Sequence, residues 1–381
     1  MPTTYTESEN GGITVNRSAG GADNDVEILD ETGRVRASYE DLTDLRTAKA
    51  TASTGDTITV FPGQYTTRNL LKDGVDWHFE NGAVVTNPGD ETGGIFENVG
   101  AHGSPSGPVE SRITGRGVFE LQDPGGSSGF SVMNLGNKDS DIYFEAKEIR
   151  DDGGQFPTTL ITYFFHSGGK LEAHVERFQQ TTDDTGNLVQ TRFLDTTDSG
   201  STPEATETAN VDITVDEFDY TESSVYLGIQ GTDAADDWRG VSNLHIKTLR
   251  SGNDEFGAFF TQTSATEGYS RIQIDNHTEG QFDQCFGYTD GSKPIFLDGF
   301  DVNYGGGGYA VNVGSSATPS LYLRDLNVRN PSFDASAGTP DAITADAAQT
   351  IQSVGGNRVG GGSAAVGSNV TIEGSDIQDT V

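Results

Sequence analysis

The sequence predicts an all-β protein in which short strands stack coil upon coil as a single-stranded parallel β-helix. Three observations point there. A short apolar motif with period-two alternation recurs down the 381-residue chain. Glycine is abundant, at 50 residues, with no collagen-like period, which favours many tight turns over long helices. The stretches between motifs show none of the 10–15-residue helical patterns that an α/β layout would place there.

The motif reads apolar, any, apolar, with a further apolar residue five or seven positions after the first. It runs as Trp77/Phe79, a weaker copy at Ile113, Ile142/Phe144/Ile149, Leu171/Ala173/Phe178, Val211/Ile213/Phe218 and Leu244/Ile246/Leu249. It continues as Ile272/Ile274, Ile295/Leu297/Phe300, Leu321/Leu323/Leu326/Val328 and Val370/Ile372/Ile377. The step from Leu321 to Val370 is about twice the shortest, Ile272 to Ile295, which implies a hidden coil near Ala348 to Val354. Turns rich in Gly and Asp follow many copies: Asp151 to Gly154, Ser251 to Asp254, and Gly305 to Gly308. About eleven coils at roughly 4.8 Å each give a rod about 50 Å long. The competing layout, an antiparallel β-sandwich, needs strands every 8–12 residues.

Ahead of the first motif, Ser38-Tyr39-Glu40-Asp41 has the look of a capping box, followed by Leu42, Leu45 and Ala48 on one face and Arg46 and Lys49 toward the end. This predicts a short amphipathic helix over 39–50, suited to plug the apolar end of the coil stack. Next comes Gly55-Asp56-Thr57-Ile58-Thr59-Val60-Phe61-Pro62-Gly63-Gln64-Tyr65.

The helix followed by GDTITVFPGQY, together with repeats such as Asn369-Val370-Thr371-Ile372-Glu373-Gly374, resembles the pectate-lyase-like superfamily of right-handed parallel β-helices. The resemblance covers about residues 38–381. It implies the handedness and the capping helix, and says little of function, because that superfamily mixes lyases, hydrolases and viral spikes. The chain then divides into an N-terminal attachment segment (1–37), a capped β-helix (38–331) and small-residue-rich C-terminal coils (332–381). Residues 1–37 are polar and hold one strand-like stretch, Asp25 to Leu29; they read either as a tail or as a segment docking the rod on something else.

Charge narrows the partners. There are 58 acids against 23 bases, net −35. Such a surface repels phosphate backbones and anionic membranes, so neither nucleic acid nor membrane insertion is expected. High Asp, low Lys and low hydrophobicity resemble the proteins of salt-loving archaea, in which dense salt screens the self-repulsion. Cys285 stands alone and makes no intrachain disulfide. The start MPTTYTESENGG shows no basic or apolar export pattern, and no run of roughly 18 apolar residues occurs.

Catalytic constellations fail. In the β-helix hydrolases of polygalacturonase type, the family pattern runs NTD, DD, GHG, RIK. Here Asp151-Asp152, Asp183-Asp184 and Asp236-Asp237 have no NTD before them, and Ala101-His102-Gly103 lies before every pair. A lyase would need acids around Ca²⁺ with a neighbouring Arg or Lys; Arg271, Arg324 and Arg329 lie on predicted strands and could face outward. His78, His102, His166, His174, His245 and His277 show no zinc spacing. No catalytic residue, metal ligand or resident cofactor is therefore assigned, although Asp-rich loops offer oxygen ligands to Ca²⁺ or other cations. For contact without catalysis the best candidates are Asp236, Asp237, Trp238 and Arg239, a charged loop around an exposed aromatic residue, with Tyr304 and Tyr309 beside the Gly305–Gly308 turn.

These readings favour a virion surface protein of a virus infecting halophilic archaea: a spike, tail fibre or capsid turret assembled in the host cytoplasm. It would form a homotrimer, hold other virion proteins through its N-terminal segment, and bind a host surface glycan or surface-layer glycoprotein. An extracellular polysaccharide lyase or glycoside hydrolase, and a non-enzymatic adhesion module, are the alternatives; both call for export.

Overall fold

In a computed structural model of the chain, the described residues are 4–7, 13–16, 26–88, 93–97, 108–122, 130–138, 140–151, 159–167, 170–180, 186–193, 209–220, 225–231, 239–251, 267–279, 282–291, 295–317, 321–329, 341–360 and 366–379. They are almost all strand, arranged in long and mostly parallel sheets, and no helix among them is long and apolar enough to cross a membrane.

The chain visits three parallel ladders in turn. The main ladder starts with Thr57–Val60, Asp76–Phe79, Glu110–Gly115 and Asp141–Asp151. It goes on through Lys170–Gln180, Ala209–Tyr220, Arg239–Ser251 and Glu267–Ile274. Ile295–Ala317, Leu321–Arg324, Gln349–Gly355 and Val370–Gly374 complete it. A second ladder begins with Gly63–Thr66, Ala83–Thr86 and Val118–Leu121, then merges with the later halves of the long strands from Glu148 onward. The third is a five-stranded sheet of Gly93–Glu97, Phe130–Lys138, Thr159–Ser167, Gly186–Phe193 and Val225–Gly231. Parallel neighbours need long crossovers, and here the other two ladders supply them in place of helices.

Register places like on like. In the main ladder Ile58, Trp77, Ile113, Phe144, Ala173, Ile213, Leu244, Ile272, Leu297 and Leu323 are successive partners, all buried. The second ladder aligns Tyr65, Val85, Phe119, Ile149, Phe178, Phe218, Leu249 and His277. Phe96 of the third ladder closes the core: its ring meets Phe79 at 6.1 Å, Phe119 at 5.6 Å and Phe144 at 5.9 Å, all edge to face or nearly so.

The motif positions read from sequence therefore fall on the buried face, with one correction. Ile142, Leu171, Val211 and Leu321 sit one buried position before the column of Trp77, Ile113, Leu244 and Ile272, and Ile295 pairs with Leu321 in register. A slip of two residues keeps the same face, so facing was legible where alignment was not. The hidden coil is a strand, Gln349–Gly355, pairing Ile351 with both Leu321 and Ile372.

The N-terminal expectation is corrected more deeply. Residues Val35–Tyr39 form a strand, antiparallel to Val26–Leu29, which itself adds antiparallel to Thr57–Val60 at the edge of the main ladder. The predicted boundary at residue 37 falls inside this hairpin, and Val26 and Ile28 are core. With Ser38 in a strand and Asp41 at φ 59°, no capping box forms. The helix is short, Arg46–Thr51, and is opened by Asp44, whose carboxylate accepts the Arg46 N–H at 3.0 Å. Leu45 and Ala48 still pack into the core as expected.

Gly305–Gly308 is not a turn either. It lies inside Ile295–Ala317, where register passes from Phe282↔Tyr304 to Gln284↔Tyr309, so the glycines are a bulge of excess residues. Toward the C-terminus, Ile343–Ala345, Gln349–Gly355, Arg358–Val359, Val370–Gly374 and Gln378–Asp379 all pair parallel with preceding strands.

Two variants test the packing. Phe119→Ala empties a fully buried site between Phe79, Phe96 and Phe144 and should cost about 3–5 kcal/mol in chemical denaturation. Gly115→Ala should destabilise at least as visibly, because the residue sits at φ +100° and an added Cβ would lie 2.2 Å from the Phe79 carbonyl oxygen.

Candidate ligand-contact face

Alternate residues of the main ladder point away from the core, and register lines them up as it lines up the buried ones. One outer row reads Arg112, Tyr143, Glu172, Asp212, Asn243, Arg271, Phe296, Tyr322, Gln352, Glu373. Beside it Glu145, His174, Thr214, His245 and Gln273 are successive partners, and Asp298 pairs with Arg324 further along.

The rows meet in a hydrogen-bonded band. His245 Nε2 lies 2.8 Å from Asp275 Oδ2, and Gln273 Nε2 donates to Asp275 Oδ1 at 2.8 Å. Arg271 Nη2 donates to Gln273 Oε1 at 3.2 Å and stands 2.6 Å from Asp298 Oδ2. Arg324 Nε donates to Asp298 Oδ1 at 2.6 Å while its Nη2 takes the other oxygen. Asp298 is thus 8% exposed and clamped between two guanidinium groups. Burial pushes its carboxyl up, but the two arginines together outweigh that and hold it below the usual carboxylate range. Nearby, Asp216 accepts from Lys247 at 2.6 Å and faces His174 Nε2 at 3.0 Å; burial again opposes, and the contacts with Lys247 and His174 win, keeping its carboxyl low.

Aromatic surface adjoins the clamp. Phe296 and Tyr322 are half-buried neighbours of the row that holds Arg271, their rings stacked at 4.7 Å with 12° between planes. At the other end of the row, the Arg112 guanidinium sits 4.6 Å over the Tyr143 ring. The Tyr143 hydroxyl donates to Glu145, and that bond raises its pKa to about 12. The combination of planar aromatic edges, paired guanidinium groups and amides suits hydrogen-bonded contact with a polar, ring-containing ligand.

Arg271 and Arg324 share one carboxylate, Arg329 is paired with Asp301, and His174 and His245 each face an aspartate. Among the described residues no group of three His, Cys, Asp or Glu side chains is placed to hold a metal ion.

Of the residues singled out from sequence, Asp236, Asp237 and Trp238 lie outside the described residues, as do Asp152, Asp183 and Asp184. Arg239 opens the strand Arg239–Ser251 opposite Glu267. Tyr304 and Tyr309 flank the glycine bulge, on a ladder shared with Phe282–Gly291. Burial raises the Tyr309 pKa, with Asp346 adding to the effect and a bond to Asn312 opposing it. Trp77, expected in the core, is there, stacked on Phe79 at 5.9 Å. The Asp298 clamp and the Phe296–Tyr322 pair were missed. Their signal was the residue after the first apolar position of two adjacent repeats, aromatic in both, which gains meaning only once register is known.

No family model, curated protein or solved structure matches the chain.

The clamp makes a pH prediction. A carboxyl held low in the folded state stabilises above its unfolded value and loses that contribution as pH falls through its folded value. Asp298→Asn should therefore cost about 1–2 kcal/mol at pH 7, discounted because both arginines are half exposed. In melting curves the gap between wild type and variant should stay constant at neutral pH and close as pH falls from the ordinary Asp value of about 3.9 through the lower folded value.

Proposed function

We propose that the chain is the host-contacting rod of a virus of halophilic archaea, and that its ladders wind as a right-handed parallel β-helix. The observation that carries the reading is the repeated visit to three parallel ladders in one order, with like residues stacked inside and a polar outer face. Parallel sheets are normally covered on both sides by helices. Here the described outer rows are mostly charged or polar instead, which a solenoid permits because each pass buries only its inner side. Right-handed connection follows from the general handedness of parallel crossovers.

The acid surplus supports a high-salt setting, and the ion-paired, hydrogen-bonded band with its adjoining aromatic surface supports binding. The Arg271–Asp298–Arg324 clamp with Phe296 and Tyr322 is the face we assign to a surface glycan or glycoprotein. Large apolar side chains exposed among the described residues are Val35 and Val354, so a trimer formed through these faces would be polar and salt-screened.

The test is binding of the full chain, in molar sodium chloride, to surface-layer glycoprotein from a halophilic archaeon, with light scattering on the same sample. The reading expects a trimer and saturable binding, weakened at least tenfold by Tyr322→Ala. A lone monomer without binding would overturn it. Release of unsaturated sugars from an acidic polysaccharide would transfer the same face to lyase chemistry. Independently, the melting temperature should climb by several degrees or more from dilute to molar sodium chloride, because a net charge of −35 repels itself over a Debye length of about 10 Å at 0.1 M and about 3 Å at 1 M.

A further inference from the structure

The N-terminal end of the molecule carries a feature at odds with the rest of its charge. The short helix Arg46–Thr51 and the following segment enclose an open cavity of about 420 Å³ lined by Arg46, Lys49, Ala50, Asn69 and Lys72. The chain has 7 lysines in all, and two of them face this one cavity.

Each ammonium is fixed by backbone geometry. Lys72 donates to the carbonyls of Lys49, at 3.1 Å, and Ala52, and so holds the C-terminal end of the helix. Lys49 donates to the Asn69 carbonyl and, at 2.9 Å, to Asn69 Oδ1. Asn69 is itself in the left-handed region at φ 54°, and its own N–H and that of Leu70 are bonded to Gly94 and Ile95 of the third ladder. The floor of the cavity is therefore tied to the sheet. An ammonium has three donors, and two are used in each lysine. Arg46 lies at the mouth with its guanidinium on Asp44.

Bringing Lys49 and Lys72 together is unfavourable for the bare protein. Burial, and then the charge of Lys72, push the Lys49 ammonium below its usual pKa, with Glu97 pulling the other way. An anion between the two lysines would relieve that repulsion and take up the remaining donors.

We propose that the cavity between Lys49 and Lys72 is an oxyanion site, taking a carboxylate, sulfate or phosphate group carried either by the inorganic ion or by an acid sugar. It is separate from the outer face assigned to host contact and does not rest on that assignment. In a chain this acidic it would be a local exception that draws an anion toward one end of the molecule.

Isothermal titration of the full chain at fixed ionic strength in sodium chloride, with inorganic phosphate, inorganic sulfate and glucuronate as separate probes, tests this. Stoichiometry separates a site from the general stabilisation that sulfate and phosphate give any fold. The expected result is saturable binding of at least one probe at one site per chain. Lys49→Gln should weaken it at least tenfold, and Lys49→Arg should keep it within about threefold, since the charge is retained. Glucuronate binding best would assign the site to an acid sugar; phosphate or sulfate binding best would assign it to the inorganic group. Circular dichroism reports whether each variant is folded. Should Lys49→Gln fail to fold, Arg46→Gln decides, with a several-fold loss expected because it leaves Asp44 uncompensated at the mouth. No saturable binding of any probe, or binding unchanged in the folded variants, would overturn the proposal.

Discussion

Parallel register is the constraint on which everything else depends. When each strand pairs with the strand one pass earlier, in step and in the same direction, a residue type at one position meets the same type above and below. Inside, this stacks Ile, Leu, Val and Phe into continuous columns, and the aromatic contacts among Phe79, Phe96, Phe119 and Phe144 join the three ladders into one core. Outside, the same rule would place like charges on like charges, about 4.8 Å apart, which is costly.

The outer rows of the second ladder answer that cost by alternation. Glu148, Arg177 and Glu217 are successive partners in one row, and Glu120, Arg150, Gln179, Asp219 and Arg250 in the next. The few bases are thus spent between acids: Arg150 bridges Glu120 and Glu148, Arg177 reaches Glu148 and Asp219, and Arg250 meets Glu217. Each exposed pair is worth little alone, but the row keeps an acidic ladder from repelling itself apart. The Asp298 clamp is a more deeply buried use of the same device, and the two lysines at the N-terminal cavity are the departure from it.

Ends of the columns are managed differently. Where the main column runs out of large side chains, Ser353 and Gly374 take the places of Leu323 and its predecessors. Asn357 fills the gap, bonding the Leu323 carbonyl, the Ser353 hydroxyl and the Leu326 N–H, so its buried amide is satisfied. At the other end the hairpin of Val26–Leu29 and Val35–Tyr39 covers the first strand with antiparallel pairing, and the helix lies beside it.

By itself the sequence determined the class of fold, the facing of nearly every core residue and the hidden strand at Gln349–Gly355, because period-two alternation and repeat spacing are local and survive a shift of two residues. It also shows that the NTD, DD, GHG, RIK order of the polygalacturonase-type hydrolases does not occur in the chain. Only the tertiary structure decided which repeat residue pairs with which, since several apolar positions in each copy fit equally well. That choice brings Arg271, Asp298 and Arg324 together across passes 25 to 27 residues apart, and sets Phe296 on Tyr322. It decided the N-terminal cap as well. Ser38 to Asp41 carries helix-start residues, but pairing of Val35–Tyr39 with a sheet edge satisfies more backbone than a first helical turn would, and the helix begins where Asp44 can receive it.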